Sequence, residues 1–303
     1  MQMCSQDDTM SVTGTEIHKP LLHPELEIRQ MRQNEMIFAT GLAGKEGWNP
    51  GIHDGECFYR ADPEGFFIAG LKGEPVGCIS AVSYGQSFGF IGLFIVKPEF
   101  RGKGIGTCLW KTATGYLRGR ITGLDGVIEQ EAYYARHGFL PYYRNLRFEG
   151  RGGAAMPGGL TKLSGVLFRQ LVEYDSRIFP EPRPHFLDAW IRQEGSFAFA
   201  ALNGEAIEGY GLVRKCCMGY KIGPLFAENP AVAEKLFLAL KSRIPEDEPL
   251  FLDVPQPNEN AMLLARKYGM QVAFETIRMY AAGKPGGDEK LEKVFGVTTF
   301  ELG

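Results

Sequence analysis

Three short words recur along this chain at one fixed interval, and that interval limits the folds open to it. "LKGEPVG" from Leu71 returns as "LNGEAIEG" from Leu202, "IGLF" from Ile91 as "IGPLF" from Ile222, and "RHGF" from Arg136 as "KYGM" from Lys267, each 131 residues on. An offset held through two strand-like words and one helix end implies two copies of one structural plan. With 303 residues, 44% of them hydrophobic, the chain can give each copy a core. The Gly-rich stretch "EGRGGAAMPGG" falls between them. The expected organisation is therefore a disordered extension over 1–25, a first domain over 26–150, a linker over 151–159 and a second domain over 160–303.

Within the first copy, "LEIRQM" has the pattern of a strand, and Met36 to Leu42 that of a helix. "GKEGWNPGIHDG" is loop chemistry. "GFFIAGL" and "PVGCISAVSY", joined by "KGE", suit a hairpin, and "FGFIGLFIV" is a further strand. That strand runs into "VKPEFRGKGIG" and then into the helical pattern "TCLWKTATGYL". The glycine-rich loop thus lies between a strand and a helix N-terminus. Alternate glycines at Gly102, Gly104 and Gly106 let backbone N–H groups curl around one centre, where the positive end of the helix dipole also points. Arg101 and Lys103 add charge, so the expected guest is an anion. "GVIEQEAYYARHGFLPYYRNLRF" completes the copy as a helix ending at Gly138 and a closing strand.

The offset tests that loop. Arg101, Gly102, Lys103, Gly104 and Gly106 shift onto Val232, Ala233, Glu234, Lys235 and Phe237, and Tyr134 shifts onto Ala265. Glycines needed only for a turn would be required in both copies, so their loss from one points to a ligand in the other. The loop is neither a P-loop nor a G-x-G-x-x-G fingerprint. A nicotinamide-nucleotide oxidoreductase, with Asp125 as ribose partner, fails on that spacing.

Bulk properties exclude several classes. A net charge of −3 without a basic block argues against nucleic acid as partner. Six scattered cysteines without C-x-x-C spacing suit free thiols in a reducing compartment. The polar N-terminus lacks the apolar core of a signal peptide, and no apolar run reaches the roughly 18 residues of a membrane span. The expected setting is cytoplasmic, as a monomer or homodimer without membrane contact. No His, Cys and Asp cluster has metal-ligand spacing, so no metal is expected.

"VKPEFRGKGIGTCLW" resembles the acetyl-CoA loop of the GNAT superfamily of N-acetyltransferases, R/Q-x-x-G-x-G/A after a strand, with Arg101, Gly104 and Gly106 at its defined positions. "YARHGF" resembles the Y-x-x-x-G-F end of that family's next helix. The whole chain, including "EGWNPG" and the terminal "FGVTTFELG", resembles a two-domain bacterial subgroup with a degenerate second copy. One position departs: the Asn that often opens the helix before the tyrosine is Val127 here, and Asn258 holds it in the second copy.

The resemblance implies an α/β fold of two tandem GNAT-like domains, each a mixed, mostly antiparallel sheet flanked by helices. It implies acetyl-CoA as cosubstrate. The pyrophosphate would sit on the amides of Gly102, Lys103, Gly104, Ile105, Gly106 and Thr107 beside Arg101. The pantetheine arm would pair with the backbone of Phe94, Ile95 and Val96. The activity implied is transfer of an acetyl group to the amine of a small molecule or protein by direct attack, with Tyr134 as acid for the departing thiolate. The alternatives are a non-catalytic acyl-CoA sensor and, for Tyr134, a packing role in the core. Tyr133 would point elsewhere on the helix. Trp48, Asn49 and Asp54, in the loop that roofs the acceptor side in this family, are the expected acceptor-binding residues. No base stands out: Asp54, Asp125, Glu129, Glu131, His53, His137 and a water chain all stay open.

Overall fold

The computed structural model describes residues 25–286 and 288–303. The expected disordered extension lies outside them, except for Glu25. The strand patterns of the first copy form β1 (Leu26–Gln30), β2 (Phe66–Leu71), β3 (Glu74–Tyr84), β4 (Phe88–Val96), β5 (Ile121–Val127) and β6 (Leu140–Arg151). Between them lie α1 (Met36–Lys45), α2 (Asp54–Ala61), α3 (Ile105–Tyr116) and α4 (Glu131–Arg136). The second copy opens with β7 (Thr161–Lys162), α5 (Phe168–Asp175) and α6 (Pro184–Arg192). It continues through β8 (Phe197–Asn203), β9 (Ala206–Lys215), β10 (Tyr220–Ala227), α7 (Pro230–Lys241) and β11 (Pro249–Pro255). It closes with α8 (Glu259–Lys267), β12 (Gln271–Ala281) and β13 (Val294–Gly296). Shifted by 131, Phe66 falls on Phe197 and Leu140 on Gln271, the first residues of β8 and β12. The repeat of words is a repeat of structure.

All the strands join one sheet, ordered β1-β2-β3-β4-β5-β12-β6-β11-β10-β9-β8-β7, with β13 on β10. Pairing is parallel at β4–β5 and at the equivalent β10–β11 and antiparallel elsewhere, the mixed, mostly antiparallel sheet expected. Each core forms where an amphipathic helix meets its sheet. Leu109, Trp110 and Ala113 of α3 pack on Phe67, Ile79 and Ile91, while Leu236, Phe237 and Leu240 of α7 pack on Ile222 and Leu252. Each fully buried side chain of this size contributes roughly 1.5–3 kcal/mol.

The centre of the sheet departs from two self-contained domains. β5 pairs with β12 of the other copy, and β6 pairs with β11 and β12, so each copy's last strand is inserted into the other's half. The pairing therefore crosses the expected 151–159 boundary. Two buried ion pairs mark the exchange. Arg147 of β6 sits opposite Asp253 of β11, and Arg278 of β12 opposite Asp125 of β5, each at 2.7 Å. The two arginines are themselves 131 residues apart.

Five cysteines among the described residues are unpaired; Cys57, Cys78 and Cys216 are buried, and Cys217 is exposed. Burial pushes the Cys57 and Cys78 thiols up to about 12. No helix among the described residues is long and apolar enough to cross a membrane.

Candidate functional site

The parallel ladder between β4 and β5 stops at Ile91 opposite Leu124. Just beyond, Leu93 takes a positive φ of 47° and the β3–β4 register slips, so β4 bends away from β5. Part of one β4 edge, through Phe94, Ile95 and Val96, is left facing a cleft of about 590 Å³. An unpaired strand edge is a template for another extended chain. The cleft runs from the glycine loop along this edge to Tyr134.

At the loop, Gly102 and Gly104 adopt φ of 75° and 80°, a left-handed geometry that strains any L side chain. Gly104 is the N-cap of α3. Arg101 bonds its amide to Pro98, and Cys108 to the Gly104 carbonyl; no amide between them has a backbone partner outside helices and strands among the described residues. Gly102, Gly104, Gly106 and Thr107 line the cleft. An added Cβ on Gly106 would stand 3.3 Å from the Phe94 ring. The amide cradle is thus in place. Ile105 contributes only backbone, its side chain being buried in the core. Lys103 turns away: Nζ donates to the Glu99 carbonyl at 2.9 Å and rests over Phe100. Arg101 lies at the rim, donating to the Val96 carbonyl and to Glu46 at 2.5 Å.

Tyr134 lines the cleft at 8% exposure, packed on Trp110. A Cβ on Gly126 would meet its ring at 2.5 Å, so the bare backbone of β5 makes room for it. Burial, and then neighbouring Tyr133, push the Tyr134 phenol well above the ordinary tyrosine range. It is therefore held as a neutral O–H donor. Tyr133 does not point elsewhere: it lines the same cleft, wedged among Phe94, Trp110 and His137.

The acceptor side differs most from the sequence-based expectation. Trp48 lines the cleft, whereas Asn49 and Asp54 serve the junction between halves. The Asn49 side chain exchanges two hydrogen bonds with the Met218 backbone, at 2.8 and 2.9 Å. Asp54, fully buried, accepts from Arg214 at 2.7 and 3.1 Å and from the Gly51 N–H at 2.7 Å. With both carboxylate oxygens occupied, it is an anchor for the loop.

Of the base candidates, Asp125 lines the cleft but accepts from Arg278 and Asn145. Glu129, Glu131, His53 and His137 do not line it. Sequence reasoning missed Phe274, Thr276, Phe300 and Glu301, which the second copy and the C-terminal segment bring in. One signal was present: Gly92 and Gly223, equivalent under the offset, are both covered by that segment's backbone. Among the described residues no group of three His, Cys, Asp or Glu is placed to hold a metal.

Splayed parallel strands, a glycine turn at a helix start and a buried tyrosine are the pattern of an acyl-transfer fold, and the second copy repeats the strand and helix order without the glycine turn or the tyrosine. Residues 30–144 match the Acetyltransferase (GNAT) family, and 171–296 match the Acetyltransferase (GNAT) domain. The chain is 32% identical over 260 residues to holothin acyltransferase of Pseudoalteromonas sp. (strain SANK 73390), covering 85% of this chain and 88% of that protein. A candidate acetyltransferase from Pyrococcus horikoshii superposes with a TM-score of 0.79 at 25% identity, over 96% of this chain and 100% of that one. A tandem GNAT protein from the clavulanic acid biosynthesis pathway shares the fold, with a TM-score of 0.59 at 15% identity over 87% and 100% of the two chains. The chain belongs to the GNAT family of acyltransferases, a fold family that uses acyl-CoA.

Proposed function

We propose that the first copy transfers an acetyl group from acetyl-CoA to the amine of a small molecule by direct attack. The observation that carries this reading is the continuity of one cleft from the loop amides, along the free β4 edge, to Tyr134. The amides and the dipole of α3 receive the pyrophosphate. An N–H of the β4 edge polarises the thioester carbonyl, and Tyr134 protonates the leaving thiolate. The acceptor enters between Trp48, Phe274 and Phe300, aromatic walls that suit a flat, apolar body. Closure of this mouth by the second copy favours a small amine over a protein one.

The test is CoA thiol release from acetyl-CoA with a panel of primary amines, holothin included because a relative is named for it. Calorimetry on the full chain should find one acetyl-CoA per chain. Binding without thiol release for any amine would favour the sensor reading; a stoichiometry of two would restore a site to the second copy.

A further inference from the structure

The C-terminal residues after β13 run as a buried strap across the junction of the two halves. Val297 donates its amide to Asp253, and Arg183 donates to the Thr298 hydroxyl at 2.9 Å. The Tyr84 hydroxyl donates to the Leu302 carbonyl at 3.1 Å. The strap passes so close to two strands that a Cβ at Gly223 of β10 would lie 2.4 Å from the Thr298 oxygen, and one at Gly92 of β4 2.0 Å from the Glu301 oxygen. These glycines, the shared letter of "IGLF" and "IGPLF", are seats for the strap. Glu301 is thereby fixed beside the β4 bend, where the free strand edge begins. Its backbone lies directly against the bare backbone of β4 at Gly92.

Glu301 is 3% exposed and lines the cleft. The other cleft carboxylates are committed, Asp125 to Arg278 and Glu46 to Arg101. Glu301 makes no ion pair among the described residues; its side chain accepts only from the Thr299 hydroxyl. Behind it lie three buried cations, Arg147, Arg214 and Lys221, each of which feels its charge. Asp253 and Asp54 balance the two arginines directly, while Lys221 bonds only carbonyls, those of Asn49 at 2.9 Å and Trp48 at 3.5 Å. Lys221 is thus left without a carboxylate of its own, and Glu301 is the remaining buried acidic side chain beside this cluster. A second observation points to a ligand here. The Thr276 hydroxyl, buried and cleft-lining, has no hydrogen-bond partner, and such groups are rarely left unmatched.

Resting on the transferase reading, we propose that Glu301 is the base that takes the proton from the acceptor amine. The amine nitrogen forms a bond to the thioester carbonyl carbon, and the C–S bond breaks with its electron pair on sulfur. Glu301 has first taken the extra proton of an acceptor that arrives as an ammonium and passes it to solvent; the proton then shed by the acylated nitrogen leaves through water, while Tyr134 gives one to sulfur. Return of a proton from solvent to Tyr134 leaves amide and CoA thiol as the products. An acceptor that arrives as a free base skips the first proton loss and with it the need for Glu301.

The experiment compares E301Q and E301D with the wild-type full chain at pH 8. Tryptamine, protonated at that pH, and hydroxylamine, already a free base, serve as acceptors with acetyl-CoA. E301Q should bind acetyl-CoA within about twofold of wild type and lose about a hundredfold in kcat/KM for tryptamine. The loss should be at most a few-fold with hydroxylamine, and E301D should recover part of the tryptamine rate. Equal losses with both amines, or none, overturn the assignment; so does an E301Q chain that no longer binds acetyl-CoA, which would make Glu301 structural. Wild-type protein that binds acetyl-CoA yet releases no thiol with these two amines or with any amine of the panel overturns the transferase reading, and Glu301 as base falls with it.

Discussion

The stretch from Pro98 to Tyr116 and its counterpart in the second copy begin from the same plan and end differently. In the first copy the chain leaves β4, turns through two left-handed glycines and starts α3 at Ile105. Shifted by 131, Ile105 falls on Leu236, yet α7 has already begun at Pro230, more than one turn earlier. Asn229 caps it by accepting from the Val232 N–H at 3.0 Å. The positions that would be the loop are helix. Glu234 pairs with Lys267, and Phe237 sits in the core. The premise that both copies share one backbone path is therefore not met. The second copy lacks the glycines because a capped helix has replaced the turn, and the same replacement engages the Val232 and Ala233 amides with Asn229.

The strongest way to break this comparison is to separate the copies. A chain ending at Gly159 strips β12 from β5 and β11 from β6, so it should show no cooperative thermal transition, while co-expressed 1–159 and 160–303 segments should assemble into one folded pair. A stable isolated first half that binds acetyl-CoA would show that the strand exchange is dispensable. Next in size is Asp54→Ala, which leaves Arg214 buried and unpaired and should cost about 3–5 kcal/mol in denaturant unfolding. A loss below about 1 kcal/mol would return Asp54 to the acceptor site.

Gly104→Glu should weaken acetyl-CoA on the order of a thousandfold by calorimetry, since bulk, strain and negative charge meet the cradle together. Lys235→Glu, the equivalent change in the second copy, should leave affinity within about twofold; a matching loss would mean that the second copy also holds the ligand. Smallest is Tyr134→Phe, expected to lower kcat about a hundredfold with unchanged acetyl-CoA affinity. The sign of its pH dependence follows from the raised phenol. The acid form persists above the usual tyrosine value of about 10, so wild-type kcat should not fall through pH 10 for lack of this proton. A basic limb at that value that disappears in the phenylalanine variant would contradict the burial.

Much of the fold was legible because its determinants are local. Strand patterns, the hairpin "KGE", the helix end at Gly138 and the left-handed glycines of the loop each depend on a few neighbouring residues, and the fixed offset extended those readings to the whole chain. That the loop glycines and Tyr134 lie on one cleft was readable for the same reason. Asn49 and Asp54 were misplaced because a polar loop suits either a ligand or a neighbouring domain, and only the position of Arg214 and Met218 decides between them.

The sequence by itself determined the two copies, their elements and the left-handed glycine loop that opens α3. Tertiary structure decided which strand each copy closes upon. β6 and β12 carry equivalent patterns, so pairing within or between copies buries the same faces. The exchanged arrangement sets Arg147 on Asp253 and Arg278 on Asp125, and because the two arginines are equivalent under the offset these ion pairs accompany the exchange without selecting it. Tertiary structure also decided that a glutamate two residues from the chain's end faces the cleft. No local pattern marks Glu301, because its place depends on where two glycines, 131 residues apart, let the strap lie.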